Sequence, residues 1–250
     1  MVEKVTNYQP SPTLFEGKVI LVTGAGQGIG AAVSVALAQH GATVILLGRT
    51  TRKLEETYDL IEQAGYPTPA IYPMDLEGAK PEDYANLNET IIKEFGHLDG
   101  LLHNASILAG LTPLEQHGIK EWFKIMQINL HAPFLMTQAL MPALRAAESA
   151  SILFTSSTVG RQGRAYWGAY AISKAGNESM MQIFADELET NTHIRANSIN
   201  PKATRTSMRA RAYPGENPED VAKPESIVNA YLYLLSNDSK AISGQQFDAQ

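Results

Sequence analysis

The chain is predicted to be an α/β protein: a single doubly wound domain on a seven-stranded parallel sheet, with helices on both faces. Three observations carry this. Apolar, β-rich runs alternate with helical patterns from Lys18 to the end, the signature of right-handed crossovers between parallel strands. The first run, Val19 to Val22, stops in a turn with glycines at 24, 26, 28 and 30 and restarts as a helix. With 250 residues and an ordinary apolar fraction, the chain is long enough to bury one sheet on both faces.

The strands are expected at Val19–Thr23, Thr43–Leu47, Ala70–Pro73, Leu98–Leu102, Ser151–Thr155, Ile194–Ile199 and near Gly244–Phe247. Between them, apolar spacing predicts helices at Ile29–His40, Thr51–Ala64, Pro81–Phe95, Ile119–Arg145, Gly168–Glu189 and Pro224–Leu235. Residues 1–17 read as an N-terminal arm and 18–250 as one domain; no repeat or low-complexity linker divides it. The net charge of −6 argues against nucleic acid or an anionic membrane as the main partner. With no cysteine, disulfide and thiolate chemistry is excluded. No apolar run reaches the roughly 20 residues of a membrane helix, and a cytoplasmic protein is expected. The six histidines form no metal-like cluster, so no metal site is expected.

In a doubly wound sheet, ligands bind beyond the carboxyl ends of the strands. The turn after the first strand, Thr23 to Gly30, lets backbone approach a phosphate and aims helix N–H groups at it. Gly24, Gln27, Gly28, Ile29 and Gly30 are its expected ligand contacts; a tight turn without a ligand is the other reading. After the second strand, Gly48 stands where an NAD-selective fold places a carboxylate, and Arg49 and Arg52 follow. Guanidinium groups hold a 2′-phosphate by forked hydrogen bonds, which favours NADP(H) over NAD(H). Asp75 and Leu76 end the third strand, where the carboxylate either accepts from an adenine amino group or caps the next helix. His103, Asn104, Ala105 and Ser106 end the fourth, small polar residues suited to a ribose. Pro133 cannot donate to the carbonyl of Asn129, so a kink with a freed acceptor, able to hold water, is expected there.

The segment Ser151 to Lys174 carries the chemistry. A strand ends in Thr155, Ser156, Ser157 and Thr158, and a helix then presents Tyr170 and Lys174 four residues apart on one face. An ammonium beside a phenol favours the phenolate, bringing the tyrosine towards the range where a general acid/base works.

These residues resemble the short-chain dehydrogenase/reductase family over nearly the whole chain from Lys18, and the resemblance implies a Rossmann-like fold. The family's glycine motif matches Thr23, Gly24, Gly28 and Gly30; its catalytic asparagine, serine, tyrosine and lysine match Asn129, Ser157, Tyr170 and Lys174. More narrowly, the stretch from Val159 to Lys174 and the terminal FDAQ resemble the YciK-like bacterial oxidoreductases. The resemblance implies hydride transfer between a nicotinamide and a carbonyl carbon, with Tyr170 as proton donor and Ser157 polarising the oxygen. Lys174 would bind the ribose and lower the tyrosine pKa, and Asn129 would anchor a relay water. Pro201, Thr204 and Thr206 match cofactor contacts after the sixth strand. Two positions depart from the pattern: Ser106 and Lys202 stand where the family has glycine.

Lys202–Lys223 is expected to form a substrate lid. Lys202, Arg205, Arg209 and Arg211, with Arg161 and Arg164, either form a cationic rim for an anionic substrate or pair with Glu216, Glu219 and Asp220. Trp167 and Tyr213 are candidate pocket walls. Phe134, Met136, Met180, Met181 and Phe184 suggest subunit contacts and hence a homodimer or homotetramer. The leading expectation is an NADPH-dependent carbonyl reductase, or an alcohol dehydrogenase in reverse, acting on a small molecule. An enoyl reductase on the same fold and an NADP(H)-binding sensor with little turnover are the alternatives.

Overall fold

The computed structural model describes Val5 and residues 7–250; residues 1–4 and 6 of the expected arm lie outside the described residues. The strands are β1 (Val19–Thr23), β2 (Thr43–Gly48), β3 (Ala70–Pro73), β4 (Gly100–His103), β5 (Ala150–Thr155), β6 (Ile194–Asn200) and β7 (Gln246–Asp248). They form one sheet in the order β3-β2-β1-β4-β5-β6-β7, every pairing parallel. The longer helices are α1 (Gly28–Gln39), α2 (Thr51–Gln63), α3 (Pro81–Phe95), α4 (Ile119–Met126) and α5 (Ala132–Ala146). After β5 come the short α6 (Thr158–Arg161), then α7 (Gly168–Glu189), the six-residue α8 (Ser207–Ala212) and α9 (Val228–Leu235).

Parallel strands must be covered on both faces, because each crossover lays a helix on one of them. One core lies under α1, α2 and α9, with Leu37, Leu54 and Tyr231 fully buried; the other lies under α3, α5 and α7, with Tyr84, Leu140 and Met181. Phe15 of the arm is buried in the first, and Tyr8 donates to Asp238 Oδ2 at 2.7 Å.

Four expectations are corrected. The helix expected over Ile119–Arg145 is interrupted: a wide π-type turn, Gln127–His131, joins α4 to α5. Pro133 lacks an N–H, and the helix widens there. The Asn129 carbonyl is taken by a protein donor, Asn177 Nδ2 at 2.9 Å, where a solvent partner was expected. Pro224–Leu235 is likewise not one helix, since Pro224–Ser226 forms a separate 3₁₀ turn. Finally, Met136 and Met181 are core residues and not surface, with Met180 and Phe184 packed against the same core. The exposed apolar side chains on these helices are Ile119, Phe123, Phe134, Ile172 and Ile183. Helical periodicity finds the apolar stripe but not which part of it meets the sheet.

The strand order reverses between β1 and β4, the place where a doubly wound sheet opens a crevice. Thr23 closes the base of that crevice. Its hydroxyl donates to Leu102 O at 3.1 Å and accepts from the N–H groups of Asn104 (2.9 Å) and Ala105 (3.0 Å). Asn104 Nδ2 returns a bond to Thr23 O at 3.1 Å. Replacing Thr23 by valine keeps the shape and removes the acceptor. The Asn104 N–H also donates to Leu102 O at 3.1 Å, so the donor orphaned is that of Ala105, and the Thr23→Val protein is expected to lose about 1–3 kcal/mol of unfolding free energy in urea titration.

Candidate active site

A cleft of about 520 Å³ runs along the carboxyl edge of the sheet from Arg49 to Trp167. Its first end is the glycine turn. A Cβ on Gly30 would lie 2.2 Å from Gly24 O, and one on Gly26 would lie 2.8 Å from Lys53 Cβ. Gly24 and Gly28 have φ of +68° and +58°, in the left-handed region that side chains avoid. Gln27 is extended and precedes α1, so the helix opens at Gly28, and its first residues, Gly28 and Ile29, line the cleft. The turn is therefore a bare-backbone cradle at a helix N-terminus, which fits the pyrophosphate of a dinucleotide.

Of the two arginines expected near a 2′-phosphate, Arg49 lines the cleft and Arg52 does not. Arg52 sits on the outer side of α2, 3.4 Å from Glu56, both side chains exposed. The second cation of the site is Lys53, which lines the cleft and donates to Gln27 Oε1. Sequence reading passed over it, because only the fold packs Lys53 against Gly26, 27 residues earlier. Asp75 and Leu76 also line the cleft, and the Asp75 carboxylate accepts from Glu77 N at 3.2 Å, a local turn. Asn104, Ala105 and Ser106 face the cleft, but His103 does not. It is buried, bonded to Thr137 Oγ1 at 2.8 Å and stacked on Phe154; burial, with the Lys174 charge, lowers its pKa to about 3.

At the other end, β5 delivers Thr155, Ser156 and Ser157, and the first turn of α7 delivers Tyr170 to the same wall. Lys174 is one turn further and almost fully buried. Its ammonium lies 5.8 Å from the centroid of the Tyr170 ring and donates to Thr155 O at 2.7 Å. A close glycine admits it: a Cβ on Gly160 would sit 2.7 Å from Lys174 Cβ. Burial lowers the Lys174 pKa to about 8, opposed by the Glu178 carboxylate.

The expected lowering of the Tyr170 pKa is not what this arrangement produces. Burial pushes the phenol up to about 12, and the hydroxyl of Ser157 only partly offsets it. Desolvation penalises the phenolate more than a lysine already committed to a carbonyl can favour it.

Asn129 lies behind the cleft wall, almost fully buried. Its Oδ1 accepts from Ile107 N and its Nδ2 donates to Ile107 O, both at 2.9 Å. A third bond runs from Nδ2 to Ser173 Oγ at 3.2 Å, and that hydroxyl donates to Tyr170 O. Asn129 thus ties the loop after β4 to α7, between Tyr170 and Lys174.

The turn after β6 places Pro201, Thr204 and Thr206 on the cleft, with the Thr206 methyl 3.3 Å from a Cβ position on Gly28. Lys202 keeps the left-handed backbone of a glycine (φ +59°). Its ammonium pairs with Asp248 Oδ2 at 2.7 Å. Asp248 also accepts from Arg161 Nη1 at 2.7 Å, and Arg161 Nε reaches Glu178 at 3.2 Å. The remaining Glu178 oxygen accepts from Ser198 Oγ at 2.6 Å and Gln246 Nε2 at 3.0 Å. Sequence reading missed Glu178 and Asp248, because no local pattern places carboxylates 70 residues apart beside one guanidinium.

Of the two readings of the lid cations, a rim or pairing with nearby carboxylates, pairing holds for Arg205 and Arg209, while Arg164 and Arg211 make no ion pair among the described residues. Arg161 points into this network, Arg209 pairs with Glu216 at 2.6 Å, and Arg205 pairs with Glu219 at 2.9 Å.

The chain belongs to the short chain dehydrogenase family, whose model matches residues 18–217. The uncharacterized oxidoreductase YciK of Escherichia coli strain K12 is 43% identical over 244 residues, covering 98% of this chain and 96% of that protein. A solved short chain dehydrogenase from Pseudomonas syringae superposes with a TM-score of 0.94 at 52% identity, over 98% of this chain and 99% of that one. One from Shigella flexneri, complexed with NADP, gives 0.93 at 43% identity, over 96% and 100%.

Lys174 holds fewer protons in the fold than in the unfolded chain between pH 8 and 10.5, because its folded pKa is the lower one. Its contribution to unfolding free energy therefore rises with pH across that window. Above pH 10 the raised Tyr170 pKa acts the other way. Between pH 8 and 10, chemical denaturation of the Lys174→Met variant is expected to show a shallower rise in stability than the parent protein.

Proposed function

We propose that this protein is an NADP(H)-dependent oxidoreductase that reduces a carbonyl group, or oxidises the corresponding alcohol, with Tyr170 as general acid/base. The observation that carries the reading is the convergence of Tyr170, Ser157 and the buried Lys174 at one end of a cleft. The other end offers a bare glycine turn beside Arg49 and Lys53. The NADP-complexed relative supports the cofactor assignment.

The glycine turn holds the pyrophosphate, and Arg49 with Lys53 holds the 2′-phosphate. Asp75 and Leu76 border the adenine, Asn104 and Ala105 the ribose, and Pro201, Thr204 and Thr206 the nicotinamide side. When bound, the cofactor supplies a hydride to the carbonyl carbon. With its pKa near 12, Tyr170 is protonated at neutral pH and gives its proton to the substrate oxygen as that oxygen gains negative charge. Ser157 donates a hydrogen bond to the same oxygen. The Lys174 ammonium stabilises the phenolate that remains, and Asn129 keeps α7 and the Ile107 loop in register. In the oxidising direction Tyr170 must first lose its proton, so that rate rises with pH. Lys202 is paired with Asp248 and keeps a glycine-like turn, which supports this reading over that of a sensor with little turnover.

Tyr170→Phe is expected to lower kcat for NADPH-dependent carbonyl reduction by about 10²–10⁴-fold, the usual share of a general acid, with NADPH affinity by fluorescence titration retained. An unchanged rate would overturn the mechanism. Exchanging Arg49 and Lys53 together for alanine is expected to weaken NADPH binding at least about tenfold, each charge-assisted bond contributing roughly 1.5–3 kcal/mol, while NADH binding stays within about twofold.

The reading includes a homo-oligomer, supported by the exposed Ile119, Phe123, Phe134, Ile172 and Ile183 on α4, α5 and α7. Light scattering is expected to give at least twice the chain's mass; a monomer at micromolar concentration would refute that part.

A further inference from the structure

The catalytic end of the cleft is walled by apolar and aromatic groups. Val159, Tyr170 and Ala171 are buried together, with Leu108, Trp167 and Met208 packed against them. Trp167 is central: its ring lies 5.8 Å from that of Tyr170 and 6.2 Å from that of Tyr213, tilted by 49° and 44°. The far side of this aromatic row is closed by Arg209, whose guanidinium carbon is 3.8 Å from the Tyr213 centroid.

Four of the cations around this end, Arg161, Lys202, Arg205 and Arg209, are paired with the protein's own carboxylates. Arg209 donates through Nε and Nη2 to both oxygens of Glu216 at 2.7 and 2.6 Å, and Arg205 spans Glu219. Arg161 and Lys202 share Asp248. An anionic group brought beside Trp167 and Met208 would lose its water and would have to compete with a carboxylate already held by each of these partners, forked at Arg205 and Arg209. An uncharged ring would gain the same desolvation as burial of apolar surface and could lie against the indole face. Arg164, Arg211 and Lys223 have no carboxylate partner among the described residues; of these, Arg211 lines the cleft and is able to contradict this.

From these contacts we infer that the substrate is an uncharged carbonyl compound with an apolar, ring-bearing body that packs on Trp167, and not a carboxylate or phosphate ester. The inference rests on the carbonyl-reductase reading but is separable from it.

Two matched pairs of probes test it. Benzaldehyde and 4-formylbenzoate differ by one carboxylate, and their kcat/KM with NADPH is expected to differ at least tenfold in favour of the uncharged aldehyde. Trp167→Ala is expected to raise the benzaldehyde KM at least fivefold with NADPH affinity retained, and Trp167→Phe to restore most of it. A preference for 4-formylbenzoate, above all one lost in Arg211→Ala, overturns the inference, as does a benzaldehyde KM indifferent to Trp167→Ala. Binding is read separately, by quenching of tryptophan emission in the NADP⁺-loaded enzyme with acetophenone and 4-acetylbenzoate. Selective binding of acetophenone without turnover of any carbonyl would sink the reductase reading and leave the substrate class standing. Binding of neither ketone, or of the carboxylate alone, would overturn the substrate class itself.

Discussion

A single hydroxyl at the reversal of strand order holds the base of the cleft together. Seven parallel strands leave all their carboxyl ends on one edge, and β1 and β4 part there because the chain turns outward in opposite directions on either side. Thr23 gathers Leu102, Asn104 and Ala105 at that point, so the loop after β4 is held against the glycine turn after β1. The spacing tolerates no side chain: Gly30 lies so close to Gly24 O that a methyl group would displace backbone. The crevice is shaped there by main chain packed on main chain. That is what a binding site for a long, multiply charged ligand requires.

The catalytic end is organised by a different pressure, that of buried charge. Lys174 is buried in α7, and its ammonium is satisfied by the Thr155 carbonyl and balanced at one turn's distance by Glu178. Glu178 in turn is bonded by Ser198, Gln246 and Arg161, and Arg161 and Lys202 meet at Asp248. Buried ions persist only when paired and hydrogen-bonded, so these contacts link α6, α7, β6 and β7 directly behind Ser157 and Tyr170. Burial also explains why the phenol is held well above its ordinary pKa and the ammonium below. Both groups are displaced towards their neutral forms, the direction in which desolvation acts on either sign of charge.

Much of this was legible in the chain. The alternation of β-rich and helical runs predicts every strand of the sheet to within a few residues, and the glycine turn and the Tyr170–Lys174 spacing stand out because they are local in sequence. Where the reading went astray, the deciding contact was distant. Met136 follows Phe134 by two residues on α5 and Met181 precedes Ile183 by two on α7, and only the position of the sheet separates core from surface. The Asn129 carbonyl was expected from Pro133 to be free; Asn177, 48 residues further on, takes it. Arg52 and Lys53 are neighbours in sequence, yet the start of α2 turns one to Glu56 and the other to the cleft.

By itself, then, the sequence determined the parallel sheet, the glycine turn at the switch point and the set of hydroxyl, phenol and ammonium groups, since periodicity and short spacings are properties of the covalent chain. The tertiary structure decided which charges are spent on one another and which side chains face the cleft. Those outcomes depend on burial and on pairings between residues tens of positions apart, and the free energy of each is set by surroundings that only the folded packing supplies.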